Sequence, residues 1–184
     1  MAKLALFPVL LAAGCVIAGL YGAVHDQVSY TVSPDYFHAF KFHQFGIPAE
    51  QHDRVGAAVV GWRASWWMGL VIGPPVLLVG LVLPDARAYL TRSLAAFAVV
   101  AATALAAGLG ALAYASATVT AADAPGYWVP DGVADPVAFV RVGIMHSFSY
   151  LGGLFGIVTA CIYLLLARVR LARRPAVAAD PGRR

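Results

Sequence analysis

Two histidines from distant parts of the chain are the residues best suited to chemistry. His25 is followed directly by Asp26, and His146 lies one helical turn before Tyr150. Each histidine falls near a point where an apolar segment meets a polar one, so the two rings could meet at one depth of a membrane. Neutral imidazole and carboxylate oxygen are ligands of copper, zinc and iron. The sequence therefore predicts a site for one of these metals, or for haem, formed by His25, Asp26 and His146.

A structural role for the same side chains is the alternative. His38, His43 and His52 add three further histidines to the first polar segment. His38 and His43 are five residues apart, which places them on different faces of a helix instead of side by side. Histidines at a membrane interface also form ordinary hydrogen bonds with water and backbone. The long separation between His25 and His146 leaves both interpretations open.

Tyr30, Arg63 and Tyr150 are predicted to bind a ligand beside the metal residues. Arg63 lies in the stretch Gly-Trp-Arg-Ala-Ser-Trp-Trp, where the second apolar segment begins. A cation close to hydrocarbon is costly unless it is paired or reaches the interface. Asp26 is its candidate partner, and Arg63 with Lys41 and the tyrosine hydroxyls would suit an anion, a carboxylate, or a lipid or quinone headgroup. A snorkelling arginine within a tryptophan belt is the alternative.

No catalytic residue is predicted, and the sequence leaves open whether the chain is an enzyme. It contains no phosphate-binding glycine loop, no serine elbow and no haem-attachment motif. Cys15 and Cys161 fall inside apolar runs and are expected to be packed thiols. The halves of the apolar segments farthest from the histidines carry no acidic or basic side chain, which disfavours a proton or ion relay. An open coordination position on a bound metal could still activate water or oxygen.

Membrane helices must position these residues. Of the 184 residues, 61% are hydrophobic and only 12% are charged, and apolar runs of about 18 residues or more are long enough to span a bilayer. Helices satisfy their own backbone there, as lipid requires. The sequence predicts an all-α fold, an integral membrane four-helix bundle in contact with the lipid bilayer. Its predicted domain is 1–168, with helices at about 4–24, 56–83, 94–115 and 142–167 and outer loops 25–55 and 116–141.

The first outer loop is predicted to contain a short interfacial helix. Ser33, Pro34 and Asp35 are typical of a helix start, and Gly46 is typical of a helix end. The aromatic residues between them are spread around the helix instead of forming one stripe. We expect this helix to lie against the bilayer surface or to cap the bundle.

Small residues and prolines predict how the long helices pack. Pro74 and Pro75 remove two backbone donors and are expected to kink the second helix near the middle of the membrane. Small residues at four-residue spacing let helix backbones approach closely in lipid. The predicted contact faces contain Gly14, Ala18 and Gly22 on helix one, Ala104 and Gly108 on helix three, and Gly152 and Gly156 on helix four.

The distribution of Lys and Arg predicts the orientation of the bundle. Basic residues concentrate in residues 169–184, in the link 84–93 and at Lys3, whereas the other two loops are acidic or balanced. Lys and Arg favour the cytoplasmic side. We therefore expect a multi-pass protein of the inner (plasma) membrane with both termini in the cytoplasm and a disordered basic tail, 169–184. The formal charge of +4 reflects this topology, and nucleic-acid binding is not predicted.

The first helix has a second interpretation. A basic residue followed by an apolar run is also the order of a secretory signal peptide, with cleavage near Gly22 or Ala23. Cys15 moreover follows a weak lipoprotein-like sequence. Apolar sequence continues well past Cys15, which disfavours lipidation, and an uncleaved first helix is the favoured interpretation.

Two blocks of the sequence resemble a family of small, uncharacterised bacterial membrane proteins with four helices. The first block is Tyr-Gly-Ala-Val-His-Asp-Gln-Val-Ser-Tyr, residues 21–30, with Thr-Val-Ser-Pro-Asp-Tyr-Phe, residues 31–37. The second is His-Ser-Phe-Ser-Tyr-Leu-Gly-Gly, residues 146–153, which is similar to the last helix of that family. The resemblance implies a bacterial four-helix membrane protein. It implies no activity and no site residue.

Two classes of function follow from these observations. In the first, the chain is a binding or redox module with a His-containing pocket for a metal or a small polar headgroup at its extracytoplasmic face. In the second, it is a structural or assembly subunit of a membrane protein complex, whose glycine and alanine faces and aromatic loop helix bind other membrane proteins or a second copy of the chain. Metal that is lost on replacing His25 or His146 would separate the first class from the second.

Overall fold

The protein consists of helices joined by short turns. The structure, a computed structural model, describes residues 2–173. Its elements are α1 (Ala2–Val32), α2 (Pro34–Tyr36), a π-helical turn (Phe37–Lys41), α3 (Phe42–Gln44), a 3₁₀ turn (Ala49–Gln51), α4 (Arg54–Ser65), α5 (Met68–Gly80), α6 (Ala86–Thr118), a second 3₁₀ turn (Ala124–Gly126) and α7 (Pro136–Ala172). Over the described residues the fold is all-α, as predicted. Residues 169–172 of the predicted tail belong to α7, and 174–184 lie outside the described residues.

Three of these helices are long and apolar enough to cross a membrane. They are α1, α6 and α7, whose most apolar windows have mean hydropathies of 2.3, 2.1 and 2.0. A fourth span is formed if α4 and α5, which meet at an angle of 47°, are counted together. The length and composition of the helices thus give a multi-pass membrane protein, and the predicted bundle of membrane helices is confirmed.

The second span bends at a different place from the predicted one. The break lies at Trp66 and Trp67, whereas α5 continues through Pro74 and Pro75. At the break the backbone tightens, because the amide of Gly69 donates to the carbonyl of Trp66 in an i to i+3 bond of 3.1 Å. The bend brings Gly69 against the backbone of α1, where a Cβ would overlap main-chain atoms. Close packing against α1, and not the prolines, therefore accompanies the change of direction.

Small residues form the helix contacts that their spacing predicted. Gly22 of α1 and Gly61 of α4 face each other so closely that a Cβ on either would overlap the backbone of the other. On α7, a Cβ on Gly152 would lie 2.9 Å from the Cα of Ala104, and one on Gly156 would lie 3.0 Å from the Cα of Val100. The glycine faces thus pack α1 against α4 and α7 against α6 within the chain.

One end of the bundle is closed by the aromatic segment between α1 and α4. We call this the histidine end, because it contains His25 near the end of α1 and His146 near the start of α7. Ser33 accepts a hydrogen bond from the amide of Tyr36 and so starts the segment, and Gly46 ends it with a φ of 59°. Phe37 and Phe42 are fully buried against residues of α4 and α7. The segment therefore caps the bundle, the second of its two expected positions.

The helices extend farther at this end than their apolar runs do. α1 was predicted to stop at residue 24 but continues to Val32, so His25 and Asp26 lie within a helix and not in a loop. α7 starts at Pro136, where Asp135 caps it by accepting from the amide of Ala138 at 2.9 Å. Both site histidines are consequently held by continuous helical backbone.

Candidate metal centre

His25, Asp26 and His146 meet at the histidine end of the bundle. Their exposed fractions are 4%, 3% and 8%, so all three are buried. One ligand atom from each residue lies within 4.8 Å of the others. The two imidazole rings stand almost perpendicular, with centroids 4.7 Å apart. The structure thus brings together the three residues that the sequence predicted as metal ligands.

A network of short polar contacts joins these residues across α1 and α7. His25 Nδ1 lies 3.2 Å from Asp26 Oδ1, and His25 Nε2 lies 2.9 Å from Ser149 Oγ. His146 Nε2 lies 3.0 Å from Ser29 Oγ and 3.8 Å from Asp26 Oδ1. Ser29 in turn donates to the carbonyl of His25 at 3.2 Å. Each imidazole therefore has a serine partner on the opposite helix, which fixes the direction of the ring.

A glycine on α6 determines where one of these serines sits. A Cβ on Gly108 would overlap the hydroxyl oxygen of Ser149 and would lie 3.4 Å from the carbonyl oxygen of Met145. The absence of a side chain at Gly108 thus lets α7 approach α6 closely while the Ser149 hydroxyl still reaches His25. The position of His25 depends in this way on three helices.

The aromatic cap covers the centre from the side of the loop. The ring of Tyr36 lies 5.0 Å from that of His146, centroid to centroid. Lys41 also reaches this region, and its amino group lies 4.6 Å from the ring centroid of Phe40. Burial lowers the pKa of Lys41, and the Asp26 carboxylate partly offsets that effect. The centre therefore combines a carboxylate and an ammonium group in an environment with little water.

A cavity of about 80 Å³ begins at the centre and extends between the helices. His25, Asp26, His146 and Tyr150 line it at the histidine end. Farther along the bundle its walls are apolar. They contain Gly14, Ile17, Met68, Gly69, Ile72, Phe97 and Val100. The metal residues thus face an internal space and are not sealed within packed side chains.

Two of the predicted ligand-binding residues lie outside this cavity. The hydroxyl of Tyr30 is 3.0 Å from His38 Nε2, on the loop side of α1. Arg63 is exposed and donates to the backbone carbonyl of Phe45 at 3.0 Å. Of the three predicted residues, only Tyr150 is among those that line the cavity. Arg63 is accordingly placed at the rim of the aromatic cap and not beside Asp26.

Four residues of the site were not singled out from the sequence. They are Tyr21, Ser29, Ser65 and Ser149. Helical spacing could have identified three of them. Tyr21 and Ser29 lie four residues on either side of His25, and Ser149 lies three residues after His146, so each shares a helix face with a site histidine.

The remaining histidines pack the aromatic cap. The ring of His52 stacks on Phe42 with centroids 4.4 Å apart, and His52 Nε2 lies 3.0 Å from the carbonyl oxygen of Ile47. His38 and His43 each place an aromatic edge near His52, at centroid distances of 5.8 and 5.9 Å. Across residues 2–173, the group of His25, Asp26 and His146 is the one set of such side chains close enough to hold a metal ion.

Two imidazoles and a carboxylate form a donor set with a defined chemistry. Zinc, copper and iron accept imidazole nitrogen, and two histidines with one carboxylate leave coordination positions open in non-haem iron and catalytic zinc sites. The contact of Ser149 with His25 Nε2 resembles the outer hydrogen bonds that orient metal-binding histidines, because His25 Nδ1 remains directed at Asp26. Comparison of the chain with protein-family models, with curated proteins and with solved structures finds no match. The function is therefore inferred from the chemistry of the site itself.

Proposed function

We propose that this membrane protein binds a transition-metal ion between α1 and α7, through His25, Asp26 and His146. The observation that carries the proposal is the burial of these three side chains at one point, with one ligand atom from each within 4.8 Å of the others. Buried carboxylates and imidazoles need partners that replace water. A divalent ion would supply one partner to all three at once.

The spacing of the ligand atoms supports this proposal. Asp26 Oδ1 lies 3.2 Å from His25 Nδ1 and 3.8 Å from His146 Nε2. Ligand atoms that are each about 2.1 Å from a tetrahedral ion lie about 3.4 Å from one another. Small side-chain rotations would bring the three atoms to bonding distance, and His146 Nε2 would exchange its contact with Ser29 Oγ for the ion. Haem finds less support, because imidazole centroids 4.7 Å apart leave no room for a porphyrin between two axial ligands.

The surroundings of the site also suit a cation with one open position. The carboxylate of Asp26 is buried, and its hydrogen-bonding neighbour is the imidazole of His25. A buried carboxylate is costly even with the Lys41 ammonium nearby, and a bound divalent ion would stabilise its charge. Three protein ligands leave a coordination position for water or another small ligand. The cavity at the centre provides the space for that fourth ligand.

Metal analysis of the detergent-purified protein tests the proposal. The protein is purified without chelator, stripped, and titrated with Zn²⁺ or with Co²⁺, whose visible spectrum reports its ligands. We expect one ion per chain in the wild type and a loss of at least tenfold in affinity in His25→Ala and in His146→Ala. Loss of one imidazole from a three-residue site removes a third of its protein ligands, which is why we expect a large effect.

His43→Ala is the matched control for these variants. His43 is an exposed histidine of the aromatic cap, outside the proposed ligand set. We expect this variant to bind metal as the wild type does. Binding that is equal in all four proteins, or absent from the folded wild type, would show that the three residues form only a hydrogen-bond network joining α1 and α7.

The alternative role as an assembly subunit finds little support in the helix faces. The glycines that were predicted to bind partner proteins, including Gly22, Gly152 and Gly156, pack against helices of the same chain. The apolar surfaces of α1 and α7 that remain exposed are those expected of helices in contact with lipid. We therefore favour the metal-binding role.

We also propose that the histidine end faces away from the cytoplasm of a bacterial cell, in the inner membrane. Support comes from the basic residues of the opposite end, where Arg87 and Arg92 start α6 and Arg168 and Arg170 end α7. Lys3 lies at that end too and donates to the carbonyls of Leu81 and Leu83 at 2.8 and 2.7 Å. Lys and Arg at helix ends favour the cytoplasmic side.

Reporter fusions test this orientation. A fluorescent protein that folds only in the cytoplasm should be active when it is fused after residue 184. Alkaline phosphatase, which is active only outside the cytoplasm, should be active when it is inserted in the loop between α6 and α7. The reverse pattern would overturn the proposed topology and would leave the metal proposal unaffected.

A further inference from the structure

The cavity beside the metal residues changes from polar to apolar along its length. At the histidine end its wall contains the side chains of Tyr21, Ser65, Ser149 and Tyr150, together with Lys41 and the three metal residues. Toward the middle of the bundle the wall contains Ile72, Phe97 and Val100. A single water needs roughly 10–15 Å³ of such space, so about 80 Å³ exceeds what one water fills. Apolar space of this kind is poorly hydrated and binds apolar molecules.

Gly153 shows that part of this space is open. It is buried, yet a Cβ built on it meets no atom within 4 Å. The other glycines of α7 that face a helix, Gly152 and Gly156, would clash with α6 at once. Gly153 lies four residues from Ser149 and seven from His146, so it is on the same face of α7 as the site. The space in front of Gly153 is therefore continuous with the histidine end of the cavity.

An unused hydrogen-bond donor lies at the polar end. The hydroxyl of Tyr21 is enclosed and lies near Ser149, but it makes no hydrogen bond of standard geometry within the described part of the chain. A buried donor without a partner is costly, so a ligand that offers an acceptor would gain from reaching it. The ring of Tyr21 is 5.7 Å from that of His25, centroid to centroid. An acceptor bonded to Tyr21 would consequently lie close to the proposed metal centre.

The charges around the cavity favour a neutral molecule. Asp26 and Lys41 carry opposite charges, so the metal-free cavity offers no net attraction to either a carboxylate or a cationic head. The apolar end favours a lipid-soluble compound. Access from lipid is available at Tyr150, which lines the cavity and is also 46% exposed on the surface of the bundle. These observations select a neutral amphiphile with hydrogen-bond acceptors in its head.

We infer that the cavity binds a neutral amphiphile of the quinone class, with a carbonyl oxygen toward Tyr21 and the apolar part toward Phe97. A quinone ring is flat and apolar and offers carbonyl acceptors, which matches both ends of the cavity. That the head lies beside a metal ion rests on the proposed function. The binding itself requires the cavity and Tyr21 and does not require the ion.

Native mass spectrometry tests the inference. The full chain is mixed in detergent with a decyl-substituted benzoquinone, and the bound probe is counted after the protein is released from the micelle. We expect one probe molecule to bind per chain, and dodecanoate and dodecyltrimethylammonium to bind at least tenfold more weakly at equal concentration. Tight binding of either charged probe to chelator-treated protein, or addition of several quinone molecules without saturation, would overturn the inference.

Gly153→Leu is the variant that should block binding. A leucine side chain would enter the open space in front of Gly153 without displacing a neighbouring backbone. We expect at least a tenfold loss of affinity for the quinone probe. Gly110→Leu is the matched control, because Gly110 lies on α6, is exposed and also has no atom within 4 Å of a built Cβ. It should bind as the wild type does, and equal affinities in the two variants would contradict the inference.

Tyr21→Phe tests the acceptor without filling the cavity. Loss of one neutral hydrogen bond should weaken quinone binding by about fivefold. Tyr114→Phe, which removes an exposed hydroxyl from α6, should have no effect. Unchanged affinity in Tyr21→Phe would contradict the hydrogen bond between the quinone carbonyl and Tyr21.

The same titrations separate this inference from the metal proposal. They are made with chelator-treated protein and again with Zn²⁺ added. Quinone that binds the chelator-treated wild type, together with no metal uptake, would leave the inference in place and overturn the metal centre. Metal uptake without quinone binding in either condition would overturn the inference and leave the metal centre in place.

Discussion

At the scale of single residues, Gly108 tests how strictly the site depends on its neighbours. In Gly108→Ala the new methyl group would overlap the hydroxyl of Ser149, which then could not keep its 2.9 Å contact with His25. Outer hydrogen bonds of metal-binding histidines contribute about tenfold to a hundredfold to affinity. We expect a loss of Zn²⁺ affinity in that range, measured by competition with a chelating dye.

The control for this prediction is a glycine-to-alanine substitution at another position of α6. Gly110→Ala places a methyl group in open space on the exposed side of α6. Alanine is also the better helix former, so this variant should be neutral or slightly stabilising. If both variants bound Zn²⁺ equally well, the contact between Ser149 and His25 would have no part in holding the metal.

Lys41 gives the centre a predicted dependence of stability on pH. Burial lowers the pKa of Lys41 in the folded protein, so the unfolded chain binds this proton more readily. The stability of the folded state should therefore rise with pH as Lys41 loses its proton, and the gain should be complete above the unfolded pKa of about 10.4. Lys41→Met should lack this rise.

Thermal unfolding in detergent with chelator present would measure the effect. The midpoint of the wild type should increase relative to that of Lys41→Met between neutral pH and about pH 9.5, before free tyrosines ionise. Burial raises the pKa of the neighbouring Tyr36, whose ionisation would oppose the rise at higher pH. If the unfolding midpoints of the two proteins changed by the same amount across this pH window, the lowered pKa of Lys41 would be contradicted.

At the scale of elements, a close backbone contact joins α1 and α4. Gly61→Ala would place a methyl group against the backbone of Gly22, and helices in a tight pair cannot both relax around it. Overpacking of this kind costs about 1–3 kcal/mol. We expect the free energy of unfolding in mixed micelles to fall by that amount. Gly143→Ala, where the nearest atom is a Tyr36 ring carbon at 3.8 Å, should fold as stably as the wild type.

The helix ends show what an apolar pattern can and cannot predict. Hydropathy located the spans, because lipid demands apolar residues over a fixed length. It placed the end of α1 at residue 24, although the helix continues to Val32. Polar residues in the extension bond within the helix, as when Thr31 donates to the carbonyl of Gln27 at 2.8 Å. The aromatic cap then buries part of the extension, which is a tertiary effect that no local pattern reveals.

The three candidate metal ligands could be predicted from the sequence, whereas the positions of Tyr30 and Arg63 could not. Residue types, together with their positions at the ends of apolar segments, identified His25, Asp26 and His146, whose approach the structure shows. Tyr30 was grouped with them because its hydroxyl could bind a polar headgroup. Five residues turn a helix by about 140° beyond a full turn, so its ring points toward the cap. Arg63 lies beside the carbonyl of Phe45, a partner created only when the loop folds.

At the scale of the whole molecule, the site connects the first long helix to the last. His25 and Ser149 are separated by 124 residues, and their contact closes the bundle at the histidine end. The cavity lies between the same helices immediately beyond that contact. A ligand that bridges α1 and α7 should therefore stabilise the entire fold, and not only the residues that it touches.

Metal binding should accordingly raise the unfolding temperature of the complete protein. A ligand that binds only the folded state adds about 2.7 kcal/mol of stability at a hundred times its dissociation constant. We expect Zn²⁺ to raise the midpoint of the wild type and of His43→Ala, and excess chelator to reverse the rise. His146→Ala should show a clearly smaller rise, because it lacks the ligand that α7 contributes. A rise of equal size in His146→Ala would mean that Zn²⁺ acts elsewhere on the chain, since a bridge between the two helices needs a ligand from each.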